Sequence, residues 1–239
     1  MLQSCPVFYS PEPMAFDPDL IRDELASNLQ ELVAIKALSG DAMQKLIDGL
    51  TLYLGELAKW NKAYNLTAVR DPQEMVVRHI LDSLSAAPLL RGTRILDAGT
   101  GAGLPGIPLA LCYPDRQFTL LDSNGKKIRF VQHVAGELGL TNILPVQVRV
   151  ESYEIEERFD TIISRAFTVL ADFVSNSGHL LKSDGCLLAM KGKLPQAELQ
   201  ALPHDWQATN IESVNVPGLA AERHIIVLEA LPVAPGPAT

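Results

Sequence analysis

The run Arg94-Ile95-Leu96-Asp97-Ala98-Gly99-Thr100-Gly101-Ala102-Gly103-Leu104-Pro105-Gly106 constrains this chain more than any other. An apolar strand ends on a carboxylate and passes straight into a glycine-rich turn. Pro105 and Pro108 then stand where a helix begins, a place that tolerates proline because the first helical N–H groups lack partners anyway. Glycine in the turn permits positive φ and lets a ligand approach without meeting a Cβ. A second apolar strand, Gln117 to Leu121, ends on Asp122. Two parallel strands that each close on an acid, with a glycine turn between them, form the cradle in which open α/β sheets hold nucleoside-bearing cofactors.

Two cofactors compete for that cradle. Gly101-x-Gly103-x-x-Gly106 matches the dinucleotide pattern GxGxxG, which alone is weak evidence. A pyrophosphate needs free N–H groups at the helix start, and Pro105 and Pro108 each remove one. Asp97 also places a negative charge where those phosphates would lie. The same carboxylate suits a cation, such as the α-amino group of S-adenosyl-L-methionine (SAM), and Asp122 suits ribose hydroxyls in either case. The residues therefore favour SAM over NAD. A tight strand–helix turn with no ligand would account for Gly99 and Gly106, but not for the whole loop with its two acids.

At 239 residues the chain is long enough for one α/β domain with an extension. No apolar run reaches the length of a membrane span, and the start lacks the pattern of a secretion signal. Cys5, Cys112 and Cys186 are odd in number and widely spaced, which implies a reducing, cytoplasmic setting and no metal site. The net charge of −8 argues against binding nucleic acid by bulk charge neutralisation. An RNA substrate would require a local basic patch or a folded ribonucleoprotein.

Four segments are expected. Residues 1–18 read as a mobile arm, 19–91 as a helical extension packed on the core, 92–230 as the SAM-binding domain, and 231–239 as a disordered tail. Apolar spacing predicts a helix from Asp19 to about Ala37, with Leu20, Ile21, Leu25, Leu29, Leu32 and Val33 in its stripe. Ser39-Gly40-Asp41 breaks it. A second helix carries Met43, Leu46, Ile47, Leu50, Leu54 and Leu57 and ends near Trp60. Asn61 to Asp71 reads as a loop, and Pro72 opens a third helix. Strands follow at 94–97, 117–121, 143–148, 159–163 and 185–190, and helices at 105–112, 125–139 and 168–181. A short helix follows Pro195, and strands close the chain near 208–215 and 223–230. Alternation of this kind implies a doubly wound, mostly parallel sheet. Only Pro217-Gly218 offers a turn between the last two strands, so one of them should run antiparallel. Seven strands so arranged make the Rossmann-like fold of class I SAM-dependent methyltransferases.

An ordered series of short motifs goes beyond the fold: Asn65-Leu66-Thr67, His79-Ile80-Leu81-Asp82-Ser83-Leu84, Gly99 to Pro108, Lys126-Lys127, Ser164-Arg165-Ala166, Lys191-Gly192 and Glu222-Arg223-His224. Over roughly residues 45–230 it resembles the bacterial ribosomal small-subunit methyltransferase G family, also called the glucose-inhibited division protein B family. The resemblance implies SAM-dependent methylation of one guanine N7, at position 527 in conventional numbering, in 16S rRNA. It also implies SAM contacts at Gly99, Leu104, Val150, Glu151 and Arg165, to which the residues themselves add Asp97, Gly101 and Asp122.

On the substrate side, His79 and Asp82 are three apart on one helical face, and either join in a surface hydrogen bond or wall a pocket. Arg165 follows a strand and so stands at the mouth of the site, unless it serves as a helix cap. Lys126, Lys127 and Arg129 gather at a helix start, where cations oppose the macrodipole, so contact with rRNA phosphate suits them better than a structural role. Lys191 and Arg223 either extend that patch or are solvated charges. Trp60 and Tyr64 read as core.

Guanine N7 has a free lone pair and loses no proton on methylation, so no essential catalytic side chain is expected, only alignment, an effect worth up to about 7–11 kcal/mol. The chain lacks the Asn/Asp-Pro-Pro-aromatic motif of amino-group methylation and a positioned cysteine for carbon methylation. The expected partner is 16S rRNA, within a protein-bearing particle because of the −8 charge, and the enzyme is expected to be a monomer without metal or membrane. An NAD-type oxidoreductase and a non-catalytic SAM- or RNA-binding module are the alternatives.

Overall fold

The computed structural model describes residues 15–32, 35, 38, 40–165, 167 and 169–232. Most of the expected arm, Val33, Ala37, Ser39, Ala166 and the tail beyond residue 232 lie outside them. Among the described residues, three helical stretches and a short 3-10 turn, Ala87–Leu89, precede the sheet. Helix α1, Pro18–Leu29, starts inside the segment expected to be an arm: Asp17 caps it by accepting from the Asp19 and Leu20 N–H groups, with Pro18 in the first turn. It is shorter than the apolar spacing suggested. Ile21, Leu25 and Leu29 are buried, whereas Leu20 is exposed.

Helix α2, Asp41–Tyr64, runs four residues past its expected end. The polar residues after Trp60 do not break it; Asn65, at φ +49°, does. Buried Asn61 therefore belongs to the helix, and its amide folds the next loop back by accepting from Thr67 N–H and donating to the Val69 carbonyl. Trp60 packs on Phe130 and His133, as expected of a core residue. Tyr64 is a correction: at the helix end it is exposed, with its ring against that of Trp60.

Pro72 opens α3, Pro72–Met75, capped by Asp71. It continues through a π-helical turn, Val76–Leu81, into α4, Asp82–Leu84. Single π turns of this kind recur at functional sites, and this one carries His79 up to Asp82.

The sheet comprises β1 (Arg94–Ala98), β2 (Gln117–Asp122), β3 (Ile143–Gln147), β4 (Phe159–Ser164), β5 (Leu181–Lys191), β6 (Trp206–Ser213) and β7 (His224–Ala230), in the order β3-β2-β1-β4-β5-β7-β6. All neighbours are parallel except those of β7, which is the one reversed strand. Helices α5 (Gly106–Cys112), α6 (Gly125–Glu137), α7 (Leu170–Ser177) and α8 (Gln196–Gln200) complete the crossovers. Their apolar faces enclose two cores, one on each side of the sheet. The core on the α5 and α6 side also takes Leu50, Tyr53, Leu54 and Leu57 of α2, so the extension completes that layer.

Register fixes where chemistry can occur. Ala98 pairs with Leu121, Ser164 with Ala189, and Lys191 with His224. The residues that follow β1, β2, β4 and β5 therefore emerge along one carboxyl-end edge, where open α/β sheets bind ligands.

Candidate functional site: two clefts on one sheet edge

The glycine turn is held from three directions. Gly99, Gly101 and Gly103 take φ of +76°, +60° and +88°, which side chains rarely adopt. The Gly99 and Thr100 N–H groups donate to the Leu121 carbonyl, and Gly101 N–H donates to Asp122 Oδ2 at 3.0 Å. Below the turn, Asp97 Oδ2 accepts from Thr100 Oγ1 at 2.6 Å and from Gly106 N–H at 2.8 Å. Asp97 Oδ1 is buried without a partner among the described residues. Burial pushes the Asp97 carboxyl up to about pKa 7, against the pull of those two hydrogen bonds. On the third side, Tyr53 of α2 donates its hydroxyl to the Ala102 carbonyl at 2.9 Å.

Beside the turn lies a cleft of about 390 Å³ lined by Gly99, Asp122, Lys127, Val150, Glu151 and Phe167, among others. Val150 and Glu151 sit in a short 3-10 turn after β3. This lining suits SAM: a carboxylate at the end of β2 for ribose hydroxyls and an acidic turn after β3, while Asp97, expected among the contacts, lies fully buried beneath the turn and, like Gly101, outside the lining. A pyrophosphate fares worse. At the start of α5 the Gly106 N–H is taken by Asp97, the Ile107 N–H by the Gly103 carbonyl and the Leu109 N–H by the Pro105 carbonyl, while Pro108 has none. That helix start has no donor left for a phosphate.

Two residues carried over by resemblance fall elsewhere. The Leu104 side chain is buried in the core with α2, and its N–H donates to the Thr100 carbonyl. It shapes the turn without lining the cleft. Arg165 lines a second cleft.

That second cleft, about 440 Å³, opens farther along the same edge and is lined by Arg78, His79, Asp82, Arg165, Lys191 and Arg223, with Val69, Met190 and Gly192. Buried Asp82 is its keystone: Oδ2 accepts from Arg165 Nη1 at 3.2 Å and Oδ1 from Arg223 Nε at 2.8 Å. Arg165 Nη1 also donates to the Arg78 carbonyl, which ties β4 to the π turn. His79 is buried too, so a surface hydrogen bond does not describe this pair. Its Nε2 meets Thr67 Oγ1 at 2.8 Å, and its Nδ1 has no partner among the described residues. Burial, reinforced by the Arg165 charge, lowers the His79 pKa to about 4, so the ring is neutral at physiological pH.

The basic residues divide. Lys126 and Arg129 are exposed on α6. Lys127, expected to meet rRNA phosphate, instead places Nζ 3.4 Å from Asp122 Oδ2, whose charge relieves the conflict with the helix dipole. Lys191 is not a solvated surface charge: its Nζ donates to Glu198 Oε2 at 2.9 Å and to the Phe167 carbonyl at 3.3 Å. Glu151 is half-exposed, and Arg149 lies 3.7 Å from it. Sequence reasoning missed Tyr53, Arg78, Phe167 and Glu198. Only the aromatic at position 53, inside an otherwise aliphatic helical face, offered a signal.

Cys112 and Cys186 are buried and free in α5 and β5. Among the described residues, no group of three or more metal-ligating side chains occurs, and no helix is long and apolar enough to cross a membrane.

The sheet order, the glycine turn and the strand-end acids define a class I SAM-dependent methyltransferase. Solved structures share the fold. The ribosomal protein L11 methylase from Lactobacillus delbrueckii subsp. bulgaricus matches with a TM-score of 0.51 at 15% identity, over 63% of this chain and 77% of that one. TYW2 from P. horikoshii, in complex with MeSAdo, matches with a TM-score of 0.51 at 12% identity, over 64% and 62%. Sequence narrows the class. The family model for rRNA small subunit methyltransferase G matches residues 46–226. The ribosomal RNA small subunit methyltransferase G of Salmonella arizonae is 54% identical over 181 residues, 76% of this chain and 87% of that protein. That of Salmonella typhimurium is 50% identical over 206 residues, 86% and 99%. The chain belongs to the rRNA small subunit methyltransferase G family.

Proposed function

We infer that this protein transfers the methyl group of SAM to the N7 of a single guanine, position 527 in conventional numbering, in the 16S rRNA of the small ribosomal subunit. The observation that carries the reading is the pairing of two clefts on one sheet edge: one with carboxylates for a cationic nucleoside, the other with cations for a polyanion. When bound, SAM supplies an electrophilic methyl group on a sulfonium.

The residues of the chain then have to hold and align. Asp122 offers Oδ1 and Oδ2 toward ribose hydroxyls, with Oδ2 already steadied by Gly101 N–H. Asp97 Oδ1, buried beneath the turn and without a partner among the described residues, offers a negative end toward an ammonium. Val150 and Glu151 stand where an adenine would be read. Because N7 carries its own lone pair, alkylation there calls for no general base. Neutral His79 and the paired Asp82 suit walls better than proton carriers. The gain comes from approach and orientation.

The −8 charge favours a substrate that is already a protein-bearing particle, since the cations here are few and local. Methyl transfer from labelled SAM to small subunits lacking the modification, read by nucleoside mass spectrometry, tests the reading. The expected product is 7-methylguanosine, formed faster on particles than on protein-free 16S rRNA. SAM binding with no such product would overturn the acceptor, and no SAM binding would overturn the first cleft as well.

A further inference from the structure

We propose that the second cleft seats one backbone phosphodiester of the substrate RNA beside the target guanosine, gripped by the guanidinium forks of Arg165 and Arg223. The proposal rests on the reading of the protein as an rRNA methyltransferase. Four cations line the cleft: Arg78, Arg165, Lys191 and Arg223. Asp82 and Glu198 offset two of them, which leaves a positive surplus in a chain of net charge −8.

The arrangement is built for an anion. Asp82 is 3% exposed and takes one nitrogen from each fork, Nη1 of Arg165 and Nε of Arg223. A guanidinium has five N–H donors, so each fork keeps donors beyond those given to Asp82. The buried carboxylate thereby orients two arginines from distant parts of the chain before any ligand arrives, and planar forks match phosphate oxygens.

The base itself is the weaker candidate for this cleft. N7 alkylation leaves a positive charge on the purine, so a fixed positive surplus around the ring would oppose the reaction it should favour. No Phe, Tyr or Trp lines the cleft to stack on a base, and the one imidazole there, His79, is only 6% exposed. A phosphodiester accepts the surplus and leaves the base to extend toward the first cleft. One hydrogen bond joins the two clefts: Lys191 Nζ of the second donates to the carbonyl of Phe167, which lines the first.

The test uses the full chain with SAM and a fluorescently labelled RNA hairpin carrying the target loop. Single neutral methylphosphonates replace, one at a time, the phosphates flanking the target guanosine. Binding is followed by anisotropy between about 50 and 200 mM salt, for wild type, Arg223→Gln and Arg223→Lys. One methylphosphonate should weaken wild-type binding about tenfold and lower the salt slope by about 0.7. In Arg223→Gln, where Arg165 alone remains on the phosphate, the same replacement should cost clearly less than in wild type, and Arg223→Lys should recover the slope.

The proposal is overturned if no flanking position affects wild type, or if the two losses simply add. Should Arg223→Gln not fold, the wild-type series decides alone. Methyl transfer by the same preparation onto undermethylated subunits separates the two levels. Transfer without any methylphosphonate effect discards the phosphate seat and keeps the enzyme; no transfer and no RNA binding discards both.

Discussion

Tyr53 donates its hydroxyl to the carbonyl of Ala102 at 2.9 Å, so the helical extension holds the glycine turn of the cofactor cleft directly. Both groups are buried, and nothing else among the described hydrogen bonds reaches that carbonyl. Tyr53→Phe keeps the ring against Phe130 and removes only the donor. A buried carbonyl left without its donor costs about 1–3 kcal/mol. If the turn absorbs that cost, the KM for SAM rises about fivefold or more while kcat holds. A drop in melting temperature with the KM unmoved would show that the bond serves stability alone.

Asp97 should make SAM binding depend on pH. Burial raises its pKa from 3.8 to about 7, so between those values the folded protein holds a proton that the unfolded chain has released. Ionising Asp97 therefore costs stability as pH rises through that window. A cation bound against Oδ1 favours the ionised form and displaces the proton. SAM affinity should accordingly strengthen by about tenfold between pH 6 and 8, and calorimetry should detect proton release. Asp97→Asn should bind weakly with a flat profile. A steep profile in that variant would move the effect to another group.

Two glycines predict opposite outcomes. A Cβ on Gly106 would lie 2.8 Å from Asp97 Oδ2 and 2.8 Å from Leu120 Cγ, at the point where Asp97 holds the turn. Gly106→Ala should lose about 1–3 kcal/mol and most SAM affinity. Gly136, in the exposed last turn of α6, has nothing within 4 Å of such a Cβ. Gly136→Ala should gain about 0.4–1 kcal/mol and leave methyl transfer as it was. Urea melts of the two variants check both signs.

His79 sets an acid limit. Its pKa falls from 6.5 to about 4 in the fold, so its contribution to stability is complete above 6.5 and is lost as pH drops toward 4. At about pH 5 the loss should reach about 2 kcal/mol. His79→Gln, which cannot titrate, should show a correspondingly flatter decline in melts from pH 7 to 5. An equal decline in both proteins would assign the acid sensitivity to carboxylates.

The sheet and its glycine turn were legible because local signals agree there. Apolar runs end on Asp97 and Asp122, glycines stand where φ turns positive, and Pro217-Gly218 announces the reversed strand. Asp122 on the wall of the first cleft followed from those signals, whereas Gly99, Val150 and Glu151 beside it were named from the family resemblance. What the sequence hid is long-range pairing. Lys127 and Lys191 looked like candidates for RNA, yet Asp122 and Glu198 hold them. Asp82 looked like one of a helical pair with His79, yet its partners come from positions 165 and 223. Periodicity reports which face of a helix is covered, not which distant charge covers it. Helix ends were misjudged for a related reason: Asn61 is polar but buried, because Thr67 and Val69 satisfy its amide.

Asp82 offers the sharpest division between the clefts. Removing its charge leaves Arg165 and Arg223 facing each other with only partial compensation, and loss of one partner from a buried ionic group typically costs about 3–5 kcal/mol. Asp82→Asn should therefore lower the melting temperature and reduce methyl transfer to ribosomal substrate at least tenfold. SAM affinity should stay within about twofold, since no Asp82 contact reaches the first cleft. Adding Arg223→Gln to Asp82→Asn removes the repulsion, so stability should partly return while methyl transfer stays low. Recovery of both together would mean that the triad only braces the fold. Loss of SAM binding in step with methyl transfer would mean that the two clefts are one site.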